Sequence, residues 1–446
     1  MKLPRFALLA VAALSISVCA QTTEQPSADT EKVKIKLTLD DFRQMALKDN
    51  PSLAVAKARV DAAMAGVRQA QAAYYPTVNL ESTAQHSRDR TIRTTGAYSS
   101  HMNYDVTLSS TWVLFDGFQR RFNLLNAKYD RENAEESERN ARRLLMQAIS
   151  QAFYSALNFQ NHMVIAKEDA DYNSILLDDA QKRHDSGVAK QSEVLNFILQ
   201  VKNAEVNYVT AEQNWRTGMI ALAALAAIDF NSLPSNVWDY YELVAPNDAN
   251  KEMPPFDTLL AQAKENRPDL KAAEAKIIIA KEGMDAAKGT FLPSITLYTN
   301  YGFNKDKNTR FSDSYDRVIN GGIRLNWTLF NGFKTPAQIA QGRATLSSAF
   351  KERDDLLIEI ESSLRQNLLA LATSRKQFQF QEEILKTAKE IRDLVHQEYL
   401  GGTTTITRLN EAQTAVTKAA SERSSAFIRV LNNLENIKAI TAQNIE

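Results

Sequence analysis

Apolar and polar residues alternate with a period of two in four short segments of the chain. In one of them Tyr104, Val106 and Leu108 fall on one side, opposite Asp105 and Thr107. Such alternation is typical of strands with one apolar and one polar face. Because the four segments form two pairs far apart in the chain, we expect each half to carry one long hairpin. The predicted strands cover about 77–85, 103–114, 294–303 and 317–330.

Long segments with helical periodicity separate these strands. Gln119–Asp185 has 67 residues without Pro or Gly, and a helix of that length extends about 100 Å. Leu357, Ile360, Leu364 and Leu368 recur at steps of three and four, which indicates an amphipathic or coiled-coil helix. The chain is therefore predicted to be mostly helical. The predicted helices cover about 51–75, 119–185, 189–227, 268–291, 335–400 and 404–442.

The second half of the chain repeats the first. Pro51 and Pro268 each open an Ala-rich helix and lie 217 positions apart, as do Pro76 and Pro293. The motif Leu-Phe-Asp-Gly-Phe at Leu114 returns 215 positions later as Leu-Phe-Asn-Gly-Phe. Landmarks that recur in one order indicate an internal duplication. We divide the chain into a first repeat at 37–227, a linking segment at 228–255 and a second repeat at 256–446.

The first 20 residues have the form of a secretory signal peptide. Two basic residues precede an apolar run, and small residues up to Ala20 suit signal peptidase. Residues 21–36 are polar and are expected to form a flexible extension. Cys19, the only cysteine, offers lipidation as an alternative, but Val18 departs from the small residue that normally precedes a lipidated cysteine. Beyond Ala20 no run of 18 apolar residues occurs, so no helix is expected to span a bilayer.

Charge balance and the scatter of histidines argue against two functional classes. The chain has 53 basic and 53 acidic residues, so it lacks the positive charge that nucleic-acid binding requires. Its five His form no close pair, and no Gly-rich phosphate loop or Ser-centred elbow occurs. We therefore expect no enzymatic activity, no metal and no cofactor.

The alternating hairpins could cover an ordinary core or could face lipid. Their lengths approach the roughly 9 to 11 residues that a tilted transmembrane strand needs. Trp112 and Trp327 lie at equivalent strand ends, where amphipathic rings favour a membrane interface. Four strands cannot close a barrel, and open sheet edges are not tolerated in lipid. Strands in a membrane would therefore require several chains to share one barrel.

Taken together, these motifs resemble the TolC family of outer-membrane channel proteins, over about Leu37–Ala442. The likeness rests on the Asn-Pro-x-Leu motif at Asn50, the prolines before the first strands, the duplicated motif that begins at Leu114, and the glycine turns. The resemblance implies a homotrimer with a shared twelve-stranded β-barrel in the outer membrane and a long α-helical barrel across the periplasm. It also implies an equatorial belt, to which we assign Ile228–Arg267 and the C-terminal residues.

The function implied by this resemblance is a passive exit duct for drugs and other toxic small molecules. An inner-membrane transporter would drive export through a periplasmic adaptor. The outer component of type I protein secretion is an alternative that neither the strand nor the helix pattern separates from efflux. A periplasmic adaptor or coiled-coil structural protein would also use long helices, but it would need neither lipid-facing hairpins nor tryptophans at their ends.

The resemblance also implies a gate at the periplasmic end of the helices. In the family, two carboxylates ring this entrance. The positions that match them in this chain are Arg408 and Glu411, so a base replaces the first of the two acids. The repeat equivalent of Arg408 is Glu193, and we expect Arg408 to pair with Glu193 or Glu411. The candidate gate also includes Asn196.

Two further sets of residues follow from the expected orientation in the envelope. The breaks at Gly187, Gly401 and Gly402 are expected to form the tips that meet the adaptor. The polar segments His86–Ser99 and Asn304–Asp316 cannot lie in hydrocarbon and are expected to be cell-surface loops.

Overall fold

The structure, a computed structural model, describes residues 35–90, 98–228, 241–246, 252–305 and 316–443. Helices and strands alternate within these ranges in the order of the two repeats. The first repeat contains β1 (Ile35–Leu37), α1 (Leu39–Asp49), α2 (Pro51–Ala72), β2 (Thr77–Arg90), β3 (Tyr98–Asp116), α3 (Gln119–Asp185) and α4 (Gln191–Leu225). The remainder contains β4 (Tyr241–Leu243), α5 (Phe256–Asn266), α6 (Pro268–Gly289), β5 (Ser294–Lys305), β6 (Asp316–Asn326), α7 (Lys334–Leu400) and α8 (Ile406–Ile440).

Local sequence signals set the starts of the short helices. Thr38 and Asp41 form a reciprocal capping box at the start of α1. The side chain of Asn50 accepts a hydrogen bond from the backbone of Ser52 at the start of α2. Pro51 occupies the first turn, where a backbone N–H would have no acceptor within the helix, so its absence costs nothing.

The two 67-residue helices, α3 and α7, begin in the same way. Each follows a glycine with φ of +66°, Gly117 or Gly332, and then a phenylalanine that is also left-handed. A Cβ on Gly117 would lie 2.3 Å from the carbonyl oxygen of Gly289, so glycine is required there by close packing as well. These turns carry the chain from a strand directly into a long helix.

The long helices pack side by side in a row. α3 packs against α4, α7 packs against α8, and α3 also packs against α8, which gives the order α7–α8–α3–α4. At the end nearer the strands the order is α2–α3–α6–α7. α7 is therefore at one end of both rows, and α4 or α2 is at the other.

Two apolar clusters hold this arrangement together. The larger lies near the middle of α3, where α1, α4 and α8 meet, and includes the fully buried Phe42, Phe153, Met219 and Leu222. The smaller lies near the far ends of the long helices and contains Phe197. Burying each large apolar side chain contributes about 1.5 to 3 kcal/mol to the stability of the fold, so each cluster strongly stabilises the packing of its helices.

The long strands form one antiparallel sheet in the order β2–β3–β5–β6. Each hairpin pairs its own two strands, and the β3–β5 pairing joins the repeats. Leu108 lies opposite Leu80 on one side and Tyr301 on the other, so apolar positions line up across the sheet. Within the described residues, β2 and β6 are open edges.

The six predicted helices lie within three residues of their predicted ends, and α3 has the predicted bounds. The strands differ more. His86–Arg90 and Tyr98–Ser99 are strand and not loop, as are Asn304, Lys305 and Asp316. Backbone pairing continues through polar residues because ladder hydrogen bonds do not depend on side-chain polarity. β6 ends at Asn326 and not at Phe330, since the chain then turns into α7.

The sequence reasoning missed the short helices α1 and α5, which occupy equivalent positions in the two repeats. It also missed the parallel pairing of β1 with β4, which ties the linking segment to the start of the first repeat. Ile35 and Lys36, predicted to belong to the flexible extension, are therefore strand. The predictions for residues 1–34, including Cys19, and for 91–97 and 306–315 lie outside the described residues. So do those for 229–240, 247–251 and 444–446, which include parts of the linking segment and of the predicted belt. No helix in the described ranges has an apolar stretch long enough to cross a lipid bilayer.

Candidate functional site at the helical tips

Both helical hairpins turn at a left-handed glycine. Gly187 has φ of +76° after α3, and Gly402 has φ of +73° after α7. A Cβ at either position would meet no atom within 4 Å, so backbone conformation alone requires glycine. Gly401 has an ordinary φ of −76°, which distinguishes it from its neighbour. The three predicted tip glycines therefore lie at one end of the helical row, but only two need to be glycine for the turn.

Tyr399 connects three helices beside these turns. Its hydroxyl donates a hydrogen bond of 3.1 Å to a carboxylate oxygen of Glu193 on α4. The guanidinium of Arg183 on α3 lies 4.8 Å from the centre of the Tyr399 ring and also donates to its backbone carbonyl. Phe197 packs edge to face against the same ring. Tyr399 is buried and holds the tips of α3, α4 and α7 together.

Burial and the neighbouring carboxylate change the acidity of this tyrosine. Burial first, and then the Glu193 carboxylate, raise the pKa of Tyr399 to about 12. The phenol therefore keeps its proton, and can donate to Glu193, well above neutral pH. Sequence reasoning placed Glu193 in the candidate site but missed Tyr399 and Arg183, because a single tyrosine before a glycine turn carries no distinctive pattern.

The other predicted gate residues form two separate contacts. Arg408 pairs with Glu411 at 3.4 Å, and their side chains are 59% and 61% exposed. Arg408 does not pair with Glu193, whose carboxylate accepts from Tyr399 instead. Asn410 donates to Asn196 at 2.9 Å, which links α8 to α4. Exposed ion pairs contribute about 0 to 1 kcal/mol, so Tyr399 and Asn196 hold the tips more firmly than Arg408 does.

Trp112 and Trp327 occupy equivalent places far from the tips. Each indole N–H donates to the backbone carbonyl of an aromatic residue at the preceding helix–strand junction, Tyr74 or Phe291, and both distances are 3.0 Å. The two tryptophan residues remain 43% and 55% exposed. Because the polar N–H is satisfied while the ring is exposed, both side chains suit an interface between apolar and polar surroundings.

A metal site requires several ligating side chains close together. The described residues contain no group of three or more His, Cys, Asp or Glu side chains arranged to hold a metal ion. What the tips offer instead is a set of hydrogen bonds and ion pairs between neighbouring helices. Such contacts can hold neighbouring helices together or, when broken, release them.

Comparison with known proteins gives a consistent result over both repeats. A family described as outer membrane efflux protein matches residues 42–227 and 259–443. The outer membrane protein TolC of Vibrio cholerae is 20% identical over 417 residues, which cover 91% of this chain and 92% of that protein. Protein CyaE of Bordetella pertussis is 25% identical over 311 residues, which cover 69% of this chain but only 63% of CyaE.

Solved structures share the fold. The CmeC outer membrane channel of Campylobacter jejuni superimposes with a TM-score of 0.76 at 18% identity, over 91% of this chain and 86% of CmeC. At this identity the likeness concerns the fold, and it extends over most of both chains.

Proposed function

The chain belongs to the outer membrane efflux protein family, and we propose that it is the outer-membrane channel of a tripartite export system, a passive exit duct for small molecules. Family membership places it in the outer membrane and agrees with the prediction of a channel and not an enzyme. The observation that carries the proposal is the match over both repeats, which includes the hairpins and the long helices. An inner-membrane transporter and a periplasmic adaptor are its proposed partners.

An export assay tests this function directly. Cells that lack the chain should accumulate an efflux dye such as ethidium, and the chain should fractionate with outer membranes and require detergent. Unchanged dye accumulation together with loss of a secreted protein from the medium would favour the alternative, type I protein secretion. A chain that remains in the aqueous fraction without detergent would contradict both.

The internal duplication supports a trimer. Within the chain α3 packs against α6 and α8, and β3 pairs with β5. The repeat equivalents of these contacts would join α7 to α2 and α4, and β6 to β2. In the described residues α7 meets α4 at the tips, through Tyr399, but the two helices do not pack along their length. Neither do α7 and α2, and β6 does not pair with β2, so these elements form the open ends of the helical rows and of the sheet. We infer that they meet between chains, and three chains with four strands each would give a twelve-stranded barrel.

Exposed apolar stripes lie where such contacts would form. α4 and α7 each carry apolar side chains at successive steps of four, seven and three residues, the spacing of a coiled-coil seam. Their exposure, from 43% to 65%, is high for side chains of this size. The stripe residues are Leu195, Leu199, Val206 and Val209 on α4, and Phe380, Ile384, Ile391 and Leu394 on α7.

Docking of the adaptor at the tips gives a prediction about the glycine turns. Gly187→Val and Gly402→Val should reduce export at least about tenfold, because a β-branched residue strains a left-handed position and reshapes the turn. Gly401→Val adds the same bulk at an ordinary φ and should have the smaller effect. Dye efflux and native mass spectrometry measure export and trimer content. Undiminished export by both of the first two variants would remove the docking role.

The exposed pair at Arg408 and Glu411 gives a prediction about ion selectivity. We propose that both side chains line the periplasmic entrance. Arg408→Ala should then raise single-channel conductance and cation preference, whereas Glu411→Ala should reduce cation preference. Planar-bilayer recordings with a salt gradient measure both quantities. If both variants conduct as the parent does, with the same selectivity, neither residue lines the entrance.

A further inference from the structure

A polar groove runs along α3 between α4 and α8, and apart from Asn410, which bonds to Asn196, none of its residues has a role proposed above. Its floor contains Asp169 and Asn173 of α3. Amide side chains of α4 line one wall from Gln200 through Asn207 to Asn214, a length of about 20 Å. Two adjoining cavities of about 310 Å³ and 420 Å³ form the groove, and ligand sites generally have volumes in this range.

The wall on α8 is polar as well and shares its spacing with a coiled-coil seam. It contains Asn410, Thr414, Thr417 and Ser421, at steps of four, three and four residues. The corresponding positions on α4, 215 residues earlier, are Leu195, Leu199, Lys202 and Val206. Three of those four residues belong to the exposed apolar stripe of α4.

The floor shows the same contrast between the repeats. Asp169 and Asn173 of α3 correspond to Ile384 and Ala388 of α7, which border an apolar cavity. α3 and α7 have equal lengths, and each packs against its own return helix. Helix packing alone therefore does not require amides and hydroxyls here, and the polarity of the groove needs a different explanation.

An unsatisfied acceptor lies in the groove. Gln413 is only 6% exposed, and among the described residues its side-chain carbonyl oxygen has no hydrogen-bond partner. The amide nitrogen of Gln413 and the hydroxyl of Thr417 both donate to the same carboxylate oxygen of Asp169, at 2.6 Å and 2.8 Å. These bonds fix the orientation of the amide. A buried acceptor without a donor costs about 1 to 3 kcal/mol, so a ligand that donates a hydrogen bond there after a small outward rotation of Gln413 would be favoured.

The remaining lining favours a neutral ligand rich in hydroxyl groups. The amides of Asn203 and Asn207 are exposed and make no hydrogen bond to any other described residue. An amide presents both donors and an acceptor, which match a sugar hydroxyl that also donates and accepts. Asp169 and Lys418 balance each other in charge, so the groove does not select an ion by net charge. At one end Phe159 supplies an apolar ring against which a sugar ring can pack.

We propose that this groove binds an oligosaccharide, whose hydroxyl groups donate to Gln413 and bridge the amides of α4 and the hydroxyls of α8. Around α8, Asn410 and Thr414 lie about 200° and 240° from Arg408. The groove thus faces away from the side of the helical row on which Arg408 lies. Under the proposed function, Arg408 faces the lumen and the groove faces the periplasm, where a cell-wall glycan can reach it.

Saturation-transfer NMR and calorimetry with the purified detergent-solubilised protein and N-acetylglucosamine tetramer test the site. The parent should bind, and Asn207→Leu should weaken binding about fivefold, the effect of losing one ordinary hydrogen bond. Gln379→Leu removes an exposed amide from α7, outside the groove, and should bind as the parent does. No detectable binding by the parent, or equal binding by the parent and Asn207→Leu, would overturn the proposal.

A second measurement distinguishes a cell-wall glycan, which reaches the groove from the periplasm, from a soluble sugar that reaches it from the lumen. Insoluble peptidoglycan sacculi are too large to enter a channel, so their retention of the parent but not of Asn207→Leu indicates a cell-wall glycan. Binding of the soluble tetramer without retention by sacculi instead places the groove in the lumen and overturns the cell-wall assignment. Saturable displacement of the tetramer by a helical peptide but by no other sugar would assign the groove to a protein partner. Dye efflux measured on the same variants distinguishes failure here from failure of the proposed transport function.

Discussion

Replacing Tyr399 with Phe is expected to raise the open probability of the channel at least about tenfold in planar bilayers. The substitution removes the hydroxyl that donates to Glu193 but keeps the ring against Phe197 and under Arg183. A hydrogen bond to a charged group contributes about 1.5 to 3 kcal/mol, and 1.4 kcal/mol changes an equilibrium tenfold. Three chains would each contribute one such bond, so the effects on a shared gate would accumulate.

The effect of Tyr399→Phe should not depend on pH between about 6 and 9. The folded-state pKa of Tyr399, about 12, lies above the ordinary value of about 10. A raised tyrosine pKa means that the stabilisation is complete below about pH 10 and is lost as the pH rises through about 12. Recording parent and variant at several values within the lower range measures this independence.

Two further variants make the gate prediction specific. Tyr208→Phe removes a hydroxyl from α4 away from the tips and should leave the open probability unchanged. Glu193→Gln keeps an acceptor for Tyr399 but loses the charge, so its open probability should lie between those of the parent and Tyr399→Phe. Native mass spectrometry establishes that each variant remains assembled. A Tyr399→Phe channel that opens no more often than the parent would exclude this hydrogen bond from the gate.

Helices could be predicted from the sequence because their signals are local. Gln119–Asp185 lacks Pro and Gly throughout, and glycines bracket it, so its ends could be read from the chain. Strand ends depend on pairing with another segment and carry no such mark. β2 therefore continues through the polar residues His86–Arg90, for which the sequence pattern predicts a loop.

The candidate site was only partly predictable for a related reason. The repeat offset correctly relates Arg408 to Glu193 in sequence, but an offset does not tell which side chains meet. In the fold, α7 places Tyr399 against Glu193, and Arg408 turns to Glu411 on its own helix. The equivalence of Trp112 and Trp327 was predictable from their motifs, whereas their hydrogen bonds to Tyr74 and Phe291 required the structure.

Placing a charge in the exposed apolar stripe of α4 is expected to prevent assembly. Val206→Glu should convert a detergent-solubilised trimer largely to monomers, because an unpaired carboxylate would be buried between chains. The repeat identifies the residue it would meet. At the repeat offset of 215, Val206 corresponds to Ser421 and Phe380 corresponds to Ile165. Within the chain, Ser421 of α8 and Ile165 of α3 border the same groove. Val206 of one chain is therefore expected to face Phe380 of the next.

A charge exchange tests this register. Phe380→Lys alone should also break the trimer, whereas the combination of Val206→Glu with Phe380→Lys should partly restore it, since the two buried charges would then pair. Gln379→Glu adds the same acidic charge one residue from Phe380 but off the stripe, and should leave the trimer intact. Native mass spectrometry of the four proteins measures the masses. Intact trimers in both single variants would show that α4 and α7 do not meet between chains, and the ring would then have to close through other surfaces.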